Sequence, residues 1–298
     1  MKVHRGQGPW PAANTESVVF GWMPKRLEHV EPSERQGMAR WLLEHVSGKT
    51  RGTRIAEDMR WTESQLDKLA VLAERLNAGE PLQYVLGEAW FDGLHLQVSP
   101  AVLIPRPESE ELVAEMAQRI QRDGAGVRAL DWCTGSGCMA LALKARLPGV
   151  DVHGFDVSAE AIEVARLNAQ RCGLVVRFGV MDLFLASLPE RPFDMVMSNP
   201  PYIPHGERDS MHARVTEHEP EMALFVSDED PLTFYRAMVR WCESGGLKVG
   251  GWIGMECHTR RASDVASLLV SSGSWKHVEI LEDLQGLPRH VVARRSLP

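Results

Sequence analysis

The chain has 298 residues, a length that allows one large domain or two of modest size. Its 44% hydrophobic and 24% charged residues are typical of a folded globular protein and exclude collagen, a coiled coil and a disordered chain. With 33 Lys and Arg against 40 Asp and Glu, the net charge of −7 argues against a protein that holds a nucleic-acid duplex by its phosphates.

The sequence predicts neither a membrane span nor a secretion signal. Nowhere does an apolar run approach the roughly 20 residues that cross a bilayer, and the start MKVHRGQGPWPAANTE lacks the apolar stretch of a signal peptide. We therefore expect a cytoplasmic protein with no membrane partner.

The cysteines give no support to a disulfide framework or a zinc ribbon. There are five of them, scattered and never spaced as CxxC: Cys133, Cys138, Cys172, Cys242 and Cys257. We expect reduced, mostly buried thiols and no metal site.

Residues 1–87 predict a small helical domain. Its first 25 or so residues, rich in Gly, Pro and Asn, predict a loose tail. From Ser33 to Asn77 apolar residues recur at spacings of three and four, and Thr62 followed by Gln65 is typical of a capping box. This region holds 12 basic and 11 acidic side chains, net +1, which leaves −8 for the rest of the chain.

Residues 88–107 predict a hairpin linker. Phe91, Leu94, Leu96 and Val98 alternate with polar residues, and the proline-rich turn IPRP follows at 104–107.

Residues 108–298 predict an α/β domain. From Val127 onward short apolar runs alternate with amphipathic stretches, a pattern that predicts a mostly parallel sheet with helices on both faces. The last two runs, HVEILEDL and RHVVARR, are separated only by QGLP and predict an antiparallel hairpin at the sheet edge.

The first candidate site is a glycine-rich turn between a predicted strand and a predicted helix, in LDWCTGSGCMALAL. Because Gly135 and Gly137 lack Cβ atoms, a ligand could lie against bare backbone beside the free N–H groups of the helix start. The same residues also serve as a plain tight turn in many crossover units. No GK[ST] follows, so the turn is not a Walker loop.

Two carboxylates follow the next two strands. Asp156 closes the second strand about 20 residues after the glycines, where a doubly wound fold places a carboxylate against ribose hydroxyls; it could equally cap the following helix. Asp182 ends the third strand, where it could accept the amine of an adenine while Leu183 packs on the ring. Taken alone, Asp182 gives little evidence for a binding site, because an aspartate is also common in plain loops.

The fourth element is SNPPYIP, at the end of the fourth predicted strand. Because Pro200 and Pro201 donate no ladder hydrogen bonds, the strand must end there in a stiff loop that contains Asn199 and Tyr202. A rigid turn alone would explain NPPY, but its order after the glycine turn and the two carboxylates favours a functional site.

These motifs together resemble the Rossmann-like class I methyltransferases that use S-adenosylmethionine and modify a planar nitrogen. PLQYVLGEAWFDGL, VSPAVLIPRPESEELV, HEPEMALFV and LEDLQGLPRHVVARR are similar to the release factor glutamine methyltransferase family, over roughly Pro81 to Arg294. The resemblance implies a small N-terminal helical domain for substrate recognition and a methyltransferase domain at 108–298.

The resemblance also implies roles for individual residues. The cofactor's amino-acid part would lie on Cys133, Thr134, Gly135, Ser136 and Gly137, its ribose on Asp156, and its adenine on Asp182 and Leu183. Asn199 would serve cofactor and substrate. Asn199 and the Pro200 carbonyl would accept the two amide N–H groups of a substrate glutamine, beside Pro201 and under the Tyr202 ring. Arg106, Glu219 and Pro220 would shape the substrate cleft.

Three residues depart from the family pattern. Cys133 stands where Gly is usual, which requires that this residue keep a negative φ. Ser109 stands where Thr is common. Leu183 replaces a frequent aromatic, which predicts weaker adenine stacking.

The expected reaction is methylation of the N5 amide of the glutamine in the GGQ motif of class I peptide-chain release factors, by a monomer with no direct nucleic-acid contact. Three alternatives stay open: glutamine methylation of a large-subunit ribosomal protein, adenine-N6 methylation of nucleic acid, and an inactive cofactor-binding module.

Overall fold

The computed structural model describes residues 6–121 and 126–297. They form two compact units, one that ends at Gly87 and also includes His212–His218, and one that comprises 88–211 and 219 onward. Among the described residues, no helix is both long and apolar enough to cross a membrane. All five cysteines are free; Cys242 and Cys257 are buried and the other three are half-buried.

The first unit is helical. Its helices before Gly87 are α1 (Glu16–Arg26), α2 (Pro32–Ser47), α3 (Arg51–Ala56), α4 (Glu63–Asn77) and α5 (Leu82–Leu86). The predicted capping box is confirmed: the Thr62 hydroxyl accepts from the Gln65 N–H, and the Gln65 side chain accepts from the Thr62 N–H. Helix α2 begins one residue before Ser33, at Pro32, with no side-chain cap.

The prediction of a loose tail is wrong for residues 16–26, which form α1. Val19, Trp22 and Met23 are buried in the core of this unit with Leu42, Leu43 and Leu69 of the later helices. The apolar side chains decide the structure here, because the burial of large apolar surface outweighs the local preference of Gly and Pro for loops. Residues 1–5 lie outside the described residues.

The second unit is built on a seven-stranded sheet in the order β10-β11-β9-β6-β3-β4-β5. Its strands are β3 (Arg128–Trp132), β4 (Asp151–Asp156), β5 (Arg177–Val180), β6 (Phe193–Ser198), β9 (Leu247–Glu256), β10 (Trp275–Glu282) and β11 (Pro288–Arg295). The strands from β9 to β5 run parallel, and β11 is antiparallel to both β9 and β10. The predicted α/β fold and its antiparallel edge hairpin are confirmed.

Two smaller strand pairs complete the strands. An antiparallel hairpin joins β1 (Glu88–Phe91) to β2 (Leu94–Gln97), as predicted, and a short parallel pair joins β7 (Ile203–Pro204) to β8 (Phe225–Val226). The remaining helices are α6 (Pro107–Gln121), α7 (Cys138–Arg146), α8 (Ala159–Cys172), α9 (Ala213–His218), α10 (Glu221–Leu224), α11 (Thr233–Trp241) and α12 (Ala262–Ser272).

Helices cover both faces of the seven-stranded sheet. On one face α6, α7 and α8 bury Ala129 and Met195, and on the other α11 and α12 bury Leu130 and Val196. Neighbouring strand residues alternate between the two cores because successive strand side chains point to opposite faces. This arrangement leaves the carboxyl ends of the parallel strands open at one edge, where open α/β sheets bind their ligands.

Candidate active site

The buried Asp131 side chain fixes the loop after β3 by hydrogen bonds. One oxygen of this buried carboxylate, Oδ2, accepts 2.6 Å from the Thr134 hydroxyl and 3.2 Å from the Ala140 N–H, so it ties the loop to the first turn of α7. The other oxygen, Oδ1, is buried without a hydrogen-bond partner. Burial raises the pKa of Asp131 to about 7, against the opposing effect of the two donors.

The expectation of a negative φ at Cys133 is wrong. Cys133 has a φ of 58°, in the left-handed region that favours glycine. Gly135 and Gly137 also have positive φ, so the loop takes three left-handed residues within five positions. At Gly137 a Cβ would lie 2.8 Å from the Phe178 ring, so this glycine also permits close packing of α7.

Asp156, the last residue of β4, holds the other side of the same loop. Its Oδ2 accepts from the Gly135 N–H at 2.9 Å and its Oδ1 from the Ser158 N–H at 3.0 Å. The N-cap of α8 is Ser158, whose hydroxyl accepts from the Ala161 N–H, so Asp156 is not the capping residue. Burial raises the pKa of the Asp156 carboxyl above its ordinary value.

Asp182 lies two residues beyond the end of β5 rather than at the strand end. Its Oδ1 accepts from the Phe184 N–H at 2.8 Å. Leu183 is buried in the core beside Trp132, whereas the Phe184 ring is half-exposed and packs edge-on against Phe234, with 5.1 Å between ring centroids.

A cavity of about 510 Å³ brings most of the predicted cofactor residues together at this edge. Of those residues, its wall includes Cys133, Gly135, Asp156, Asp182, Leu183 and Asn199. Thr134, Ser136 and Gly137 are not in the wall; they are buried in the loop that supports it. The wall also includes Phe184 and Phe234, which the sequence analysis did not single out.

The NPPY segment leaves β6 at the edge of this cavity. Asn199 and Pro201 line the cavity, and Pro200 and Tyr202 do not. The Asn199 Nδ2 donates 3.1 Å to the Ser109 hydroxyl, and the Tyr202 hydroxyl donates 3.1 Å to Oε1 of Glu256. Burial and the adjacent Glu256 charge raise the pKa of Tyr202 far above its ordinary value, so its hydroxyl stays protonated.

Sequence reasoning missed one buried acidic residue that contacts this segment, Glu256. Glu256, at the end of β9, accepts 2.6 Å from the Ser109 hydroxyl as well as from Tyr202. Glu219, which was expected to shape the substrate cleft with Arg106, accepts 2.6 Å from the Arg106 guanidinium and 3.2 Å from the Ile104 N–H. Their partners are distant in sequence, so only the order of strands could have indicated that Glu256 reaches this edge.

Comparison with known proteins identifies the family. Residues 109–221 match the methyltransferase small domain, and residues 20–87 match the PrmC N-terminal domain. The release factor glutamine methyltransferase of Bradyrhizobium diazoefficiens is 36% identical over 277 residues, which is 92% of this chain and 92% of that protein. The enzyme of that name from Bacteroides thetaiotaomicron is 38% identical over 224 residues, 74% of this chain and 78% of its own.

The chain belongs to the release factor glutamine methyltransferase family. It is an S-adenosylmethionine-dependent protein-glutamine methyltransferase.

Solved structures agree on the fold. The hMettl16 catalytic domain in complex with MAT2A 3′UTR hairpin 1 matches with a TM-score of 0.55 at 16% identity, over 86% of this chain and 90% of its own. A methyltransferase from Pyrococcus furiosus matches with a TM-score of 0.50 at 16% identity, over 69% of this chain and 90% of its own. At this identity the matches bear on the methyltransferase fold alone.

The residues at the cavity fit the cofactor of the family. The volume falls within the roughly 300–1,000 Å³ of small-molecule sites. A Cβ at Gly135 would meet no atom within 4 Å, so the space above this backbone is open. Carboxylates at Asp156 and Asp182 supply acceptors suited to hydroxyl and amino groups, and the aromatic and aliphatic wall suits a planar base.

Proposed function

We propose that the chain transfers a methyl group to the N5 amide nitrogen of the glutamine in the GGQ motif of class I peptide-chain release factors. The observation that carries the proposal is the position of Asn199, which lines the cofactor-sized cavity and begins the stiff NPPY segment. The names of the relatives support the substrate class.

The chemical problem is the weak nucleophilicity of an amide nitrogen, whose lone pair is delocalised into the carbonyl. Asn199 Oδ1 and the Pro200 carbonyl would each accept one N–H of the substrate amide, a two-point grip that orients the nitrogen. Pro200 suits this role because its ring fixes φ and so limits the directions its carbonyl takes.

The cofactor would lie against Cys133, Gly135, Asp156, Asp182, Leu183 and Asn199, over the loop of Thr134, Ser136 and Gly137. When bound, S-adenosylmethionine supplies an electrophilic methyl group on a sulfonium. Asp156 would accept from the ribose hydroxyls, and Asp182 from the adenine amine.

Tyr202 would act through its ring rather than its hydroxyl. The hydroxyl is engaged with Glu256 and stays protonated, so it does not accept the amide proton. That proton would leave after methyl transfer, when the nitrogen has become acidic, and S-adenosylhomocysteine would be the second product. The ring would cover the substrate amide beside Pro201 and lie near the positive sulfonium, an attraction of about 0.5–2 kcal/mol.

Residues 1–87 would recognise the protein substrate, and residues 88–107 would link them to the catalytic domain at 108–298. The enzyme would act as a monomer in the cytoplasm, where release factors work, without a membrane or nucleic-acid partner.

The test is to incubate the protein with methyl-labelled S-adenosylmethionine and, separately, a class I release factor, a large-subunit ribosomal protein and total RNA, and to locate the label by mass spectrometry. We expect label on the GGQ glutamine and its loss in Asn199→Ala. Label only in ribosomal protein or RNA would contradict the substrate, and an Asn199→Ala variant with unchanged transfer would contradict the grip.

A further inference from the structure

The two ends of the Asn199 side-chain amide have nearly the same shape but opposite hydrogen-bonding roles. Only Oδ1 accepts a substrate N–H; if the amide were turned around, Nδ2 would face the substrate with donors of the same kind. The grip on a glutamine amide therefore needs a device that fixes the orientation of Asn199.

Two hydrogen bonds in series lead from Asn199 to a buried carboxylate. The Asn199 Nδ2 lies 3.1 Å from the Ser109 Oγ, and the Ser109 Oγ lies 2.6 Å from Oε2 of Glu256. Ser109 and Glu256 are 2% and 1% exposed, so water does not compete for the bond between them. The short second distance is typical of a hydroxyl that donates to a charged oxygen.

The available donors and acceptors allow only one set of directions for the hydrogen bonds between Asn199, Ser109 and Glu256. Burial raises the pKa of Glu256, and the hydrogen bonds from the Ser109 and Tyr202 hydroxyls oppose that shift by stabilising the ionised form. Because an ionised carboxylate only accepts, the single proton of the Ser109 hydroxyl points to Glu256. The hydroxyl oxygen is then only an acceptor toward Asn199, which must present its Nδ2. Oδ1 of Asn199 is thereby turned away from Ser109 and left for another donor.

The same carboxylate also holds Tyr202. Oε1 of Glu256 accepts from the Tyr202 hydroxyl at 3.1 Å, and the Glu256 backbone carbonyl accepts from the buried Tyr235 hydroxyl at 3.0 Å. Glu256 lies at the end of a central strand of the sheet, so its position is fixed by the fold. One side chain therefore orients two members of the NPPY segment.

We propose that Glu256 is a positioning residue for methyl transfer, which acts on Asn199 through Ser109 and on Tyr202 directly. The charge of Glu256 sets the direction of the hydrogen bonds from Ser109 and Tyr202, and through Ser109 that of the bond from Asn199. The inference rests on the proposed roles of Asn199 and Tyr202 in binding the glutamine amide.

Ser109→Thr and Ser109→Val form the matched pair that tests it, because they have the same shape and differ only in the hydroxyl. Ser109→Thr should keep most of kcat, whereas Ser109→Val should lower kcat about 10- to 100-fold relative to it, the usual loss when a positioning hydrogen bond is removed. The Kd for S-adenosylhomocysteine should be alike in the two variants, whereas the melting temperature of Ser109→Val should be the lower one, because the buried Glu256 carboxylate loses a donor.

Glu256→Gln is the second variant. It keeps the shape but replaces one acceptor oxygen by an NH₂ donor, so either Ser109 or Tyr202 loses its acceptor. We expect kcat to fall by a similar factor with S-adenosylhomocysteine binding retained. Full kcat in Ser109→Val or Glu256→Gln, or equal losses in Ser109→Thr and Ser109→Val, would overturn the proposal.

A spectroscopic readout separates this inference from the proposed function. The side-chain amide ¹⁵N and ¹H signals of Asn199 should differ between Ser109→Thr and Ser109→Val, because Nδ2 loses its acceptor only in the valine variant. Identical signals overturn the positioning role even if the chain methylates release factors. Distinct signals support it even if the physiological substrate is another glutamine protein.

Discussion

Asp156 Oδ2 accepts a 2.9 Å hydrogen bond from the backbone N–H of Gly135, which joins the end of β4 to the glycine loop after β3. Both residues line the same cavity. One carboxylate therefore shapes the loop and faces the space where the cofactor ribose is expected. This double role explains why a carboxylate is tolerated there although burial raises its pKa.

Asp156→Asn should weaken binding of S-adenosylhomocysteine about 10- to 100-fold. Asn keeps an acceptor for only one of the Gly135 and Ser158 N–H groups and loses the charge that strengthens hydrogen bonds to ribose hydroxyls, a difference of about 1.5–3 kcal/mol. Isothermal titration calorimetry measures the change. Asp151→Asn, at the opposite end of the same strand, is the control and should leave the Kd unchanged. Equal affinities for both variants would contradict the role of Asp156.

Cys133 has a left-handed φ, at which glycine is favoured. Glycine should therefore be more stable than alanine at this position, which is the reverse of their order in a helix. Cys133→Gly should be more stable than Cys133→Ala by about 1 kcal/mol, because a Cβ costs energy at positive φ. At Cys138, the first residue of α7, the alanine variant should instead be the more stable. Urea denaturation of the four variants gives the comparison; an alanine variant at 133 as stable as the glycine one would refute it.

The sheet, its edge hairpin, the β1–β2 hairpin and the cap of α4 were all predictable, because each depends on a local pattern of apolar, turn or capping residues. The convergence of Asp156, Asp182 and Asn199 was predictable as well, since the carboxyl ends of parallel strands meet at one edge.

What sequence alone could not give depends on distant partners. Nothing near Ser109 indicates that Glu256 lies 2.6 Å away, 147 positions later in the chain. The helix at 16–26 has no strong local signal, because its apolar residues are buried against helices that follow it in the chain. The backbone conformation of Cys133 has no signature in its own side chain, and only the tight turn around it fixes that conformation.

Asp131 should make folding stability depend on pH. Its pKa of about 7 lies above that of an unfolded chain, so the folded state binds an extra proton between about pH 4 and pH 7. The contribution of Asp131 is therefore complete at low pH and is lost as the pH rises through 7. Asp131→Asn, which mimics the protonated form, should gain about 2–4 kcal/mol relative to the wild type between pH 4 and pH 8.

The quantity to measure is the difference in the free energy of unfolding between Asp131→Asn and the wild type, as a function of pH. Buried His290 has its pKa lowered to about 4, so it acts in the opposite direction and adds stability as the pH rises. Subtracting the free energy of unfolding of the wild type from that of Asp131→Asn at each pH removes the effect of His290. Parallel curves from pH 4 to pH 8 would mean that Asp131 is ionised throughout.

The helical unit depends on a buried ion pair. Glu16 accepts from Arg54 at 3.1 Å and from the Trp61 indole N–H at 3.0 Å, and the Arg54 side chain is fully buried. Glu16→Ala should destabilise the protein by about 3–5 kcal/mol, because it leaves a buried charge without a partner. Glu57→Ala, which breaks the exposed pair with Lys49, should cost less than about 1 kcal/mol. Chemical denaturation monitored by tryptophan fluorescence compares the two, and equal losses would contradict the assignment.

The aromatic contact expected next to adenine should come from Phe184 and Phe234 rather than from position 183. All three side chains line the cavity, but Leu183 is an aliphatic residue packed into the core, whereas Phe184 and Phe234 present aromatic rings beside Asp182. Phe184→Leu and Phe234→Leu should each raise the Kd for S-adenosylhomocysteine about 2- to 10-fold, since an aromatic pair contributes about 0.5–1.5 kcal/mol beyond its buried area.

Leu183→Phe tests the other side of the same argument. At 7% exposure this side chain has little room, so a larger ring should lower the melting temperature without tightening cofactor binding. Trp90→Leu changes an exposed aromatic residue on β1 and should leave the Kd as it is. The prediction is wrong if Leu183→Phe lowers the Kd for S-adenosylhomocysteine while Phe184→Leu and Phe234→Leu leave it unchanged. In that case the adenine contacts position 183.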